Sequence, residues 1–124
     1  MTKEFAKWAD KHGLTITDLA DALDEVAGGS FEADLGGHVL KKRVPFPGQG
    51  KRGSGRTIIC FKKDDRAIFV HGFAKNEKAN VSKQELIAFR RVAEILLNLS
   101  PDQIARSIST GTFIEVNTDE KDNG

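Results

Sequence analysis

The chain has 124 residues, 39% hydrophobic and 30% charged, which fits one soluble globular domain with a modest core. No apolar run approaches the ~18–20 residues that span a bilayer. Residues 1–13 carry acids and lack the apolar stretch of a secretory signal, and one cysteine, Cys60, excludes an internal disulfide or a zinc site needing two thiolates. A reducing, cytoplasmic setting without membrane contact is therefore expected.

The formal net charge of +1 conceals an asymmetry. Residues 1–40 hold three Lys/Arg against eight Asp/Glu, residues 41–75 ten against two, and residues 76–124 six against eight. A block of +8 thus lies between acidic flanks, and polyanions respond to such a local field rather than to total charge.

In chain order, Phe5, Trp8 and Ala9 share one face of a first helix that stops at Gly13. Thr15 or Thr17 caps a second, with Leu19, Leu23 and Val26 on one stripe before Gly28 and Gly29. From His38 the pattern turns β-compatible, and a strand is expected over 38–44, ending before Pro45. Residues 45–55 form a turn-rich loop with four glycines and two prolines. Residues 56–61 read as a central strand, 62–66 as a polar hairpin turn and 67–74 as a third, antiparallel strand. Ser82 and Glu85 make a capping box ahead of Leu86, Phe89, Ala93 and Leu96, with Ile87 and Leu97 broadening the face. Ser100 and Pro101 start a last helix that ends at Gly111. Residues 112–116 add an edge strand or dock. The expected architecture is α+β: N-terminal helices, a small, mostly antiparallel sheet in one layer against helices, then C-terminal helices. One domain is expected over 1–117, followed by a frayed tail at 118–124.

Side chains alternate across strands. Leu40, Lys42 and Val44 therefore share one face of their strand, where Leu40 and Val44 suit burial and Lys42 falls near the strand's end or an edge, while Lys41 and Arg43 project from the open face. Ala67, Phe69, His71 and Phe73 point one way on the third strand, with Lys75 continuing their register. Sheet pairing can then bring Lys41, Arg43, Arg56 and either His71 or Lys75 to one concave surface, with Lys51 and Arg52 on the adjoining loop. Cations so gathered suit a phosphodiester backbone, which the loop glycines let approach closely. Other chemistries lack their motifs. Gly48-Gln-Gly-Lys-Arg misses the spacing and hydroxyl of a nucleotide-binding P-loop. His12, His38 and His71 are dispersed, leaving no metal-ligand pattern. The carboxylates fall in helical regions and solvate outer faces, and Cys60 reads as a small buried hydrophobe. His71 stands either as a structural side chain or as a general acid–base group.

Three segments carry a family resemblance: Leu40-Lys-Lys-Arg-Val44, then Pro47-Gly-Gln-Gly-Lys-Arg-Gly-Ser-Gly-Arg56, then Gly72-Phe-Ala-Lys-Asn-Glu77. Together they resemble the RelE/HigB-like toxins of type II toxin–antitoxin systems, most closely the HigB-like branch, with Ser54 in place of a signature glycine. The resemblance implies a RelE-like fold and a cytoplasmic endoribonuclease, an mRNA interferase acting at the ribosome. It implies no cofactor and no metal, cleavage by attack of the ribose 2′-OH on its own phosphate, and a cognate helix-turn-helix antitoxin as partner. By the same resemblance the paired basic residues are Lys41 and Arg43, the arginine after the glycine turn is Arg56, and the basic position after the third strand is Lys75. Lys41 or Lys75 would serve as base, Arg43 and Arg56 would stabilise the phosphate, and His71 would stand in for a missing acid. Lys42, Lys51, Arg52 and Asn76 would hold RNA. The chain departs from relatives in having Asn76 where some carry arginine, and in having no tyrosine. A non-catalytic basic-sheet module for RNA or DNA accounts for the same charge block, as does a protein-interaction domain facing an acidic partner.

Overall fold

A computed structural model describes residues 1–48, 53–74 and 80–116. Two helices, α1 (Lys3–Lys11) and α2 (Ile16–Ala27), lead into strands β1 (Ala33–Asp34), β2 (Val39–Pro45), β3 (Ser54–Lys62) and β4 (Arg66–Ala74). Helices α3 (Lys83–Leu96) and α4 (Pro101–Ser109) follow. Each helix begins on a hydroxyl cap, a device worth about 1 kcal/mol. Thr2 accepts from the Phe5 amide, and Thr15, Ser82 and Ser100 form reciprocal capping boxes with Asp18, Glu85 and Gln103. Thr15, not Thr17, therefore starts α2.

The strands form one antiparallel sheet in the order β1-β2-β3-β4. β1 lies on its edge, a strand that sequence patterning does not show. β2 extends through Pro45, opposite Ser54, rather than ending before it. The decisive irregularity is in β4. Ile58 pairs with His71 but Ile59 pairs with Phe69, so Val70 is an extra residue in the ladder. The bulge reverses the alternation beyond it. Phe69 packs on one face, stacked 4.7 Å from Phe5, whereas Phe73 belongs to the cluster on the other. The expected common face for Phe69, His71 and Phe73 is thus corrected: the bulge divides them.

Both faces are covered. α1 and α2 pack Phe5, Ala9, Leu19, Ala22 and Val26 against Leu40, Val44, Ile59 and Phe69. On the reverse, Ala93 of α3 and Leu97, which caps its end, cover Val39, Ile58, Cys60, Ile68 and Phe73. The face expected to be open is therefore partly roofed by α3. The Trp8 indole lies flat on the strands. A Cβ added to Gly72 would sit 2.4 Å from Trp8 Cε3, and one added to Gly55 2.7 Å from both Trp8 Cη2 and Phe46 Cζ. Gly55, expected among the loop glycines approached by nucleic acid, instead admits these rings.

The loop entering β2 runs through positive φ at Gly36 (81°), Gly37 (60°) and His38 (65°). Arg90 of α3 lies across it, its Nε donating to the Leu35 carbonyl at 3.1 Å, its Nη2 to the same oxygen. Past α4 the chain docks rather than adding a strand. Phe113 bridges Thr2, and the Ile114 amide donates to the Met1 carbonyl at 2.8 Å. The expected frayed tail lies outside the described residues.

Candidate nucleic-acid interface

The register of β2 on β3 places Arg43 directly opposite Arg56 and Lys41 opposite Ile58. Ile58 in turn faces His71 on β4. Lys41 and His71 thus share one cross-strand row, two strands apart, or about 10 Å at ordinary spacing. Arg43 and Arg56 form the next row. All four lie on the α3 face, and Arg43 is exposed.

Arginines directly opposite each other repel, so a local counter-charge is needed. It comes from Glu32, just before β1, whose amide donates to the Lys41 carbonyl at 2.8 Å. Its carboxylate lies 2.5 Å from Arg56 Nε and 3.7 Å from Lys41 Nζ. Lys41 Nζ also donates to Asn80 Oδ1 at 3.2 Å. The Lys41 and Arg56 side chains retain only 12% and 11% of their exposure, so both charges are held in place by the protein rather than by water. At its other end Arg56 makes, among the described residues, one long contact, Nη1 to Ser54 Oγ at 3.4 Å. The His71 ring leans on Phe89 of α3, with centroids 5.3 Å apart.

Lys42 does not join this group. It lies on the α2 side, buried to 7% exposure, with Nζ 2.9 Å from Glu25 and 3.0 Å from the Ser30 carbonyl. Its expected RNA contact is corrected accordingly: the strand alternation that presents Lys41 and Arg43 turns Lys42 inward. Lys51, Arg52, Lys75 and Asn76 lie outside the described residues. Two polar contributors, Glu32 and Asn80, were not anticipated from sequence. Glu32 also departs from the expectation that carboxylates solvate helix surfaces, because it turns onto cations.

Cys60 is fully buried in mid-sheet, and desolvation pushes its thiol up to about 12, so it is no nucleophile. Among the described residues no cluster of three or more His, Cys, Asp or Glu is arranged to hold a metal. No helix among them is long and apolar enough to cross a membrane. A cavity of about 470 Å³ between Met1, Ile68, Ile104, Ile108 and Phe113 is lined by none of the four site residues.

Compared with known families, the chain matches the family model of the RelE toxin of the RelE/RelB toxin–antitoxin system over residues 1–116. No curated protein and no solved structure matches it.

Proposed function

The chain belongs to the RelE toxin family of toxin–antitoxin systems, and we propose that it is a HigB-like endoribonuclease that cuts mRNA in the cytoplasm, at the ribosome, without a metal. Family membership supports the activity class and an antitoxin partner, to which we assign a helix-turn-helix type. The observation that carries the reading is the convergence of Lys41, Arg43 and Arg56 on adjoining rows of one sheet face.

The chemistry follows from what such a face can do. The ribose 2′-oxygen attacks the adjacent phosphorus, the bond to the 5′-oxygen breaks, and the products are a 2′,3′-cyclic phosphate and a 5′-hydroxyl. Arg43 and Arg56 stabilise the charge that accumulates on the phosphorane oxygens, where fixed donors act most strongly. Lys41, held between Glu32 and Asn80, serves as a fixed positive charge, which leaves Lys75 to take the 2′-proton. His71 protonates the leaving 5′-oxygen. Lys51, Arg52 and Asn76 hold the flanking RNA backbone.

Induced expression of the wild-type chain should arrest growth, and Arg56→Ala should abolish the arrest while melting as the wild type does. Undiminished toxicity of a folded, well-expressed Arg56→Ala protein would remove Arg56 from the site. Message incubated with purified protein and translating ribosomes, in EDTA, should acquire ends bearing cyclic or 3′-phosphate and 5′-hydroxyl. RNA that is bound but uncut would favour the non-catalytic basic-sheet module.

A further inference from the structure

We propose that Glu32 is the positioning residue of this cation site, a fixed carboxylate that gathers Arg56 and Lys41 and aims their outward donors at one phosphate. The activity arm of the test rests on the nuclease reading above; the positioning itself does not.

The donor inventory carries the inference. A guanidinium has five N–H donors and an ammonium three. Glu32 takes the Nε side of Arg56 at 2.5 Å. The far end of the fork, Nη1 and Nη2, is an edge that can receive a phosphate in two parallel bonds, and among the described residues it makes only the long contact to Ser54. Lys41 gives one direction to Asn80 at 3.2 Å and another to Glu32 at 3.7 Å, which among the described residues leaves a third. A carboxylate sitting in the phosphate's own place would cover the fork end-on; this one approaches from the side. Glu32 is also anchored through its own backbone, by its amide on the Lys41 carbonyl, so it stands in a set relation to the strand it serves. Without it, Lys41, Arg43 and Arg56 would spread apart by mutual repulsion before any RNA arrived.

Orientation needs an acceptor at the right place, whereas proton transfer or charge neutralisation needs the carboxylate itself. Glu32→Gln keeps an oxygen for Arg56 Nε and Glu32→Ala removes it. In wild type and Glu32→Gln, the Arg56 Nε–H should give a slowly exchanging proton–nitrogen NMR signal, assigned by its loss in Arg56→Lys; it should vanish in Glu32→Ala. On ribosome-bound message, Glu32→Ala should lower kcat by about ten- to a hundred-fold, as misplaced catalytic groups do, with KM within about threefold. Glu32→Gln should recover most of kcat.

An Arg56 signal unaffected by Glu32→Ala would overturn the positioning role, whatever the activity. Glu32→Gln as inactive as Glu32→Ala, with the Arg56 signal kept, would overturn it in favour of proton transfer. Tighter binding of a 2′-O-methyl RNA by Glu32→Ala would overturn it in favour of a carboxylate that blocks the site. If the wild type cuts no RNA while the signals behave as expected, the nuclease reading fails and the positioning of Arg56 stands.

Discussion

Gly72→Ala tests whether Trp8 sets the spacing between α1 and the sheet. The added Cβ would lie 2.4, 2.5 and 2.6 Å from Trp8 Cε3, Cδ2 and Cζ3, where ordinary contact is 3.4–4 Å. The indole must therefore retreat by about 1 Å. Its retreat is opposed by the rings of Phe5, His12 and Phe46, with centroids 5.5, 4.9 and 5.7 Å from it. Overpacking of this kind costs about 1–3 kcal/mol. The backbone itself accepts alanine, since Gly72 is not among the positive-φ residues, and the stiffer unfolded chain returns about 0.4–1 kcal/mol. The net loss should be about 1–2 kcal/mol, or roughly 4–8 °C in Tm for a domain of this size. Urea unfolding followed by circular dichroism measures it. In a Trp8→Ala background the same substitution should be neutral or stabilising, because the ring it strikes is gone. A loss below about 0.5 kcal/mol in the wild type, or an equal loss in both backgrounds, would refute the packing account.

Three further outcomes follow from other parts of the fold. Burial holds the Cys60 thiol protonated to about pH 12, against 9 when exposed; between these values the unfolded chain binds fewer protons, so stability falls as pH rises. Relative to Cys60→Ala, the wild type should lose up to about 1.4 kcal/mol per pH unit above 9, and urea melts from pH 8 to 11 check the slope. Gly37→Ala should cost about 1–2 kcal/mol for its left-handed backbone alone, plus displacement of Arg90 Cγ, 2.9 Å from the new Cβ. Gly111→Ala, at φ 80° with nothing within 4 Å, isolates the backbone part, so equal losses at the two sites would deny the Arg90 contact. Arg43→Ala should weaken RNA binding and reduce its log–log salt slope by about 0.7 without lowering Tm, because it removes a like charge opposite Arg56. A drop in Tm of several degrees would contradict that reading of the pair.

What the sequence makes legible is what neighbouring residues decide among themselves. Ser82 with Glu85, and Ser100 with Pro101, announce their helices because a cap and its partners lie within one turn. The polar turn between β3 and β4 announces a hairpin for the same reason. Alternation turns Lys42 away from Lys41 and Arg43, and the structure does likewise. Val70 escapes such reading, since residues 67–74 alternate smoothly and the bulge exists only in pairing with Ile58 and Ile59. β1 is two residues long and is defined by β2 alone. Glu32 carries no local mark at all: it matters because the pairing of β1 with β2 sets it beside Lys41 and Arg56, both beyond its own turn of chain. Gly55 and Gly72 are visible in the motifs, yet their reason, the Trp8 ring, lies far away on α1.

These long-range features divide the work of the sheet between its faces. Two opposed arginines and a neighbouring lysine repel, by about 3 kcal/mol per pair at 5 Å in a medium of effective dielectric 20, and the Glu32 carboxylate offsets part of that. Such an arrangement holds its geometry if the strands beneath cannot yield. The opposite face supplies this rigidity: Trp8 closes on Gly55 and Gly72, the residues immediately preceding Arg56 and Phe73, while Phe5 stacks on Phe69. The Val70 bulge makes the division possible. Without the extra residue, Gly72 would turn toward α3, and His71 and Phe73 would turn into the ring of Trp8. The same irregularity therefore gives the indole its flat seat and puts His71 on the row of Lys41. Packing on one side and charge on the other are two consequences of a single register shift.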